Sequence, residues 1–138
     1  MNTNPAELWA LLPLGYLLSV VLETPVLLVG LSRRHSLARR LVAGVWLTAC
    51  TYPIVVLVLP QLIWRPLGAG GYWPYVTVAE IFAPAAECVL FWLAFWKLAP
   101  AESTPHDRRD FLRDMLAIVA ANLTSFVAGY WVLDWLGR

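Results

Sequence analysis

Four apolar stretches, each long enough to cross the hydrocarbon core of a bilayer, take up most of this chain. They run from Leu8 to Leu31, Leu41 to Ile63, Val76 to Trp96 and Met115 to Leu136. Crossing a core about 30 Å thick takes about 20 helical residues. No water is available there to satisfy peptide groups, so a crossing segment is either a helix or a strand of a closed barrel. The stretches lack the period-2 alternation of barrel strands, which leaves helices. The expected fold is an all-α integral membrane protein, with residues 1–138 forming one domain of four transmembrane helices. Composition agrees: 60% of residues are hydrophobic and 14% charged, where a soluble domain has about half and about a quarter. Four spans leave no room for a sizeable soluble domain.

The charged residues set the direction of the spans. Arg33, Arg34, Arg39, Arg40, Lys97, Arg108, Arg109 and Arg113 fall in the first and third connections, and only Arg65 and Arg138 fall on the other side. Short loops rich in Lys and Arg stay in the cytoplasm. The expected topology places both termini outside and the basic loops 32–40 and 97–114 in the cytoplasm, in a multi-pass plasma (inner) membrane protein. The amphipathic rings of Trp9, Trp64, Tyr72, Trp73, Tyr75, Trp131 and Trp135 then gather near the outer interface, where such rings anchor. The connection between the second and third stretches, WRPLGAGGYWPY, reads as a short Gly- and aromatic-rich loop. In the third connection, Thr104, Pro105 and Asp107 read as the capped start of the fourth helix. His35 and His106 lie in the basic loops and read as solvated residues, not ligands.

Several classes of function fall away. A net charge of +1 gives no global field to attract nucleic acid. Cys50 and Cys88 form no CxxC and neighbour no His, so they read as free buried thiols, with no metal site and no cofactor implied. The N-terminal MNTNPAELWA has no basic n-region and does not read as a removable signal peptide. GxSxG, HExxH and Gly-rich phosphate motifs do not occur.

The unusual feature is acid inside the spans: Glu23 in the first, Glu80 and Glu87 in the third. A central carboxylate costs about 2.5–3.5 kcal/mol to insert, and a Leu, Ile, Phe or Val returns only about 0.3–0.6 kcal/mol. The third span carries two acids against nine such residues between Val76 and Trp96, so alone it is near break-even. Its acids must face a bundle interior or a cavity. Glu80 and Glu87 are seven apart and share a face. So do Tyr16, Ser19 and Glu23 in the first span, Thr48, Thr51 and Tyr52 in the second, and Asn122, Ser125 and Gly129 in the fourth. Ala121, Ser125 and Gly129 also form a ridge of small residues suited to close helix contact. No Lys, Arg or His lies within the spans to pair with the acids, so Asn122 and the hydroxyls are their expected partners. Pro25, Pro53 and Pro84 each free a carbonyl one turn earlier.

The two halves of the chain, about 6–64 and 72–137, follow one rule. An acid on one span (Glu23, Glu87) is followed by two small polar residues three apart on the next (Thr48 and Thr51; Asn122 and Ser125). Each half has two spans, so this reads as a parallel repeat, spans 1+2 and 3+4, about an axis along the membrane normal. Intramembrane acids are functional candidates by default. The leading expectation is a transporter or permeation component for a cation, a proton or a small polar solute. Its candidate binding residues are Glu23, Glu87, Asn122, Ser125, Thr48, Thr51 and Glu80. Four spans are few for a whole pathway, so a homo-oligomer or a larger membrane complex within the lipid bilayer is expected. The alternatives are a structural or accessory subunit, with the polar layer as interhelical glue, and a lipid-modifying membrane enzyme using Glu23 and Glu87 as an acid/base pair.

Overall fold

The structure, a computed structural model, describes residues 5–97 and 107–136. Among these, only residues 31–36 lie outside a helical segment. Helix α1 spans Pro5–Gly30 and α2 spans Leu37–Pro53. The chain continues through π-helical turns at Ile54–Val58 and Pro60–Trp64, a single turn α3 at Arg65–Leu67 and a 3-10 turn at Gly68–Gly71. Helix α4 spans Tyr72–Phe91, is extended by a π-helical Trp92–Lys97, and is followed in the chain by α5 at Asp107–Leu136. The expected cap at Thr104 and Pro105, and His106, lie outside the described residues.

Three helical stretches are long and apolar enough to cross a membrane: Leu8–Gly30, Leu37–Lys97 and Arg108–Trp131. The middle one, of 61 residues, covers two of the apolar runs read from the sequence. WRPLGAGGYWPY is not the irregular loop expected but a chain of short helical turns. Reversal is concentrated at Gly68, where φ is +59° and ψ is −136°, a region open almost only to glycine. Beyond it α4 returns along α2 and along Pro60–Trp64, and Trp64 stacks on Tyr75 at 5.7 Å between ring centroids.

Two of the π-helical turns, Ile54–Val58 and Pro60–Trp64, lie at prolines. Pro53 and Pro60 have no N–H to give, and past each the bonding register slips by one residue. Leu59 N–H bonds to Ile54 O and Arg65 N–H to Pro60 O, five residues back.

The long helices close into a ring in which α1 packs on α2 and α5, and α4 packs on the same two. Leu27, Leu31, Ala43, Leu47, Phe91 and Ile118 meet at its centre. Close approach of α1 to α5 depends on Gly30, because a Cβ there would sit 2.7 Å from that of Ala117. The small-residue ridge on α5 is used in part: Ala121 is buried, but a Cβ on Gly129 would meet nothing. Many large apolar side chains face outward, among them Leu14, Val29, Leu62 and Leu116.

Candidate polar site within the bundle

Six of the seven candidate residues meet in one hydrogen-bonded layer. Ser125 Oγ donates to Glu23 Oε1 at 2.6 Å, and Thr48 Oγ1 donates to Glu23 Oε2 at 2.8 Å. Thr51 Oγ1 donates to Glu87 Oε1 at 2.7 Å, and Asn122 Nδ2 to Glu87 Oε2 at 2.7 Å. Both carboxylates are buried, with relative exposures of 4% for Glu23 and 2% for Glu87. Each acid is thus bonded from α2 on one side and from α5 on the other. The pattern crosses over. Glu23 takes the first polar residue of the span after it and the second of α5. Glu87 takes the first polar residue of α5 and the second of α2.

Helical spacing explains the meeting. Thr48 and Thr51 are three apart on α2, as are Asn122 and Ser125 on α5, so each pair spans one turn of a face. An acid from α1 and one from α4 enter between these two faces from opposite sides of the ring.

The layer borders a cavity of about 130 Å³ whose wall includes all six residues. One water needs about 10–15 Å³ of such volume, so there is room for several. Glu80, the seventh candidate, lines the cavity farther toward the Gly68 end, with Tyr52, and is only half-buried. Among the described residues, no Lys, Arg or His lines this cavity. Among the described residues, no group of three His, Cys, Asp or Glu side chains is placed to hold a metal ion.

No family model, curated protein or solved structure matches this chain.

A second polar cluster, at the opposite end of the ring from Gly68, was not anticipated. His35 is 2% exposed and Asp114 is 0% exposed, so His35 is not the solvated loop residue expected. Its Nε2 lies 2.8 Å from Asp114 Oδ2. Asp114 also accepts from Ser32 N–H at 2.6 Å, Ser32 Oγ at 3.2 Å and Trp96 Nε1 at 3.1 Å. The rings of Phe91, Phe95 and Trp96 meet the imidazole edge-on. Nearby, Arg40 donates to the carbonyls of Leu28, Ser32 and His35, and Arg113 to those of Val29 and Gly30. The carbonyls of Leu28, Val29 and Gly30 are orphans at the end of α1, where cations are favoured. Two of the basic residues that set topology in the sequence therefore also cap a helix. A signal was present: Asp114, Ile118, Ala121 and Asn122 fall on one face of α5, which extends the polar stripe beyond the apolar run.

Between the two clusters the four long helices contribute apolar side chains: Leu27 from α1, Leu47 from α2, Phe91 from α4 and Ile118 from α5. Asp114 and Asn122 are eight residues apart on α5, about 12 Å at the helical rise.

Proposed function

We propose that this chain is a membrane transport or permeation component. Glu23, Glu87, Thr48, Thr51, Asn122 and Ser125 form its binding layer for a cation, a proton or a small polar solute. The observation that carries the reading is a pair of buried carboxylates, each hydrogen-bonded from two helices beside a polar cavity, with no cationic side chain in its wall. Glu80 serves as the approach to that layer.

In this reading the chain crosses the plasma (bacterial inner) membrane four times, through α1, α2 with its continuation to Trp64, α4 and α5. Both termini face outward, and the segments 32–40 and 97–114 face the cytoplasm. The two halves form a parallel repeat, supported by the matching partners of Glu23 and Glu87. The functional unit is an oligomer or a larger complex.

Flux through reconstituted vesicles tests the proposal. Glu23→Gln and Glu87→Gln, which keep shape and hydrogen-bonding capacity, are expected to retain helical content and to abolish solute flux. A second reading, an accessory subunit whose layer only ties helices together, is favoured by the fact that all four carboxylate oxygens are already bonded within the bundle. It predicts no flux from the unaltered protein, a larger complex on gentle solubilisation, and loss of that complex in the same two variants.

A further inference from the structure

Each hydroxyl in the layer has two acceptors in reach and one hydrogen to give. Thr48 Oγ1 lies 2.8 Å from Glu23 Oε2 and 2.9 Å from Gly44 O. Thr51 Oγ1 lies 2.7 Å from Glu87 Oε1 and 3.1 Å from Leu47 O. Ser125 Oγ lies 2.6 Å from Glu23 Oε1 and 2.9 Å from Asn122 O. A Ser or Thr hydroxyl is one donor and two acceptors, and its hydrogen rotates to suit. When the acid is ionised, the hydroxyl donates to the carboxylate. When the acid is protonated, the carboxyl donates to the hydroxyl oxygen and the hydroxyl hydrogen turns to the carbonyl of its own helix. Neither state strands a buried donor.

We infer that Glu23 and Glu87 are exchangeable-proton sites, in which rotation of the Thr48, Thr51 or Ser125 hydroxyl accommodates gain and loss of the proton. As the identity of the solute, this rests on the transport reading above. As a statement about the layer, it rests on the paired distances.

On Glu87 the sites differ. Asn122 Nδ2 gives its two hydrogens to Oε2 and to Ile118 O, so the proton belongs on Oε1, against Thr51. On release, the O–H bond of the carboxyl breaks, a water in the cavity takes the proton as hydronium, and the Thr51 hydrogen swings from Leu47 O back to Oε1. The titratable groups facing the layer are Tyr52 from α2 and Glu80 from α4, both on the cavity wall. Cys88 follows Glu87 on α4. Tyr16 on α1 is turned to Val45 O. On α5 none lies between Asp114 and Tyr130, and the His35–Asp114 pair lies beyond the apolar layer.

Infrared difference spectroscopy on the full chain in lipid nanodiscs, titrated in H₂O and D₂O, decides the matter. On acidification Glu23 and Glu87 are each expected to add a carboxylic-acid C=O band, shifted in D₂O, to those of Glu80 and the other acids of the chain. Glu23→Gln and Glu87→Gln should each remove one. Thr51→Val should move the Glu87 band alone, and Thr51→Ser should restore it. Should a Gln variant fail to fold, Thr51→Val and Ser125→Ala, which keep both acids, carry the assignment. Absence of a deuterium-sensitive acid band from either residue across the pH range of the folded protein overturns the inference. If vesicle flux of a metal cation persists in that case, the transport reading stands and only the proton is lost.

Discussion

At the scale of single residues, the two polar clusters place different demands on the fold. In the Glu23–Glu87 layer each carboxylate is held by two donors from two helices, so removing one hydroxyl leaves the other donor in place. Thr51→Val is expected to cost about 0.6–2 kcal/mol, the range for an interhelical hydrogen bond in a membrane. Asp114 offers no such fallback. Its carboxylate collects the Ser32 N–H, the Ser32 hydroxyl, the His35 imidazole and the Trp96 indole. Asp114→Ala strands several buried donors at once, each worth about 1–3 kcal/mol, and should cost more than Thr51→Val. Reversible unfolding in mixed micelles would rank the two, and equal losses would contradict this account. Glu23, Glu87 and their partners were legible in the sequence because a polar residue inside an apolar run stands out. Ser32 and His35 were not, because polar residues at the ends of such runs are ordinary and only the packed fold buries them; of that cluster Asp114 alone left a trace, on the polar face of α5.

At the scale of elements, helical character was legible throughout, and the join between the second and third apolar runs was not. The turn residues Gly68, Gly70 and Gly71 announced a reversal, but glycine content does not distinguish an irregular loop from consecutive helical turns. The prolines behaved similarly. Pro53 marked where α2 loses a backbone donor, yet Pro25 and Pro84 sit inside α-helices with no slip to five-residue bonding, so a proline alone does not announce one. The reversal itself gives a sharp expectation. Gly68→Ala forces a Cβ into a backbone region that L-residues avoid, at a cost of about 1–3 kcal/mol. Gly70 has a negative φ and open space around it, so Gly70→Ala should leave the unfolding midpoint nearly unchanged. Comparable losses at both positions would mean the reversal is not held at Gly68.

At the scale of the whole molecule, the proposed topology is open to direct labelling. With Cys50 and Cys88 replaced by Ala, Gly70→Cys should react with a membrane-impermeant thiol reagent in intact cells, and Arg33→Cys only after the cells are opened. The reverse pattern would invert the orientation read from the arginines. A further consequence lies in the dry stretch of Leu27, Leu47, Phe91 and Ile118 that parts the two polar clusters. A transmembrane voltage drops most steeply where the medium is least polarisable, and moving one elementary charge through 100 mV is worth about 2.3 kcal/mol. If the cavity wets one half of the protein, the electric field is focused on this narrow septum. Charge passing it crosses most of the voltage in a single step, and wetting the septum with Leu47→Asn should flatten the voltage dependence of any current the protein carries.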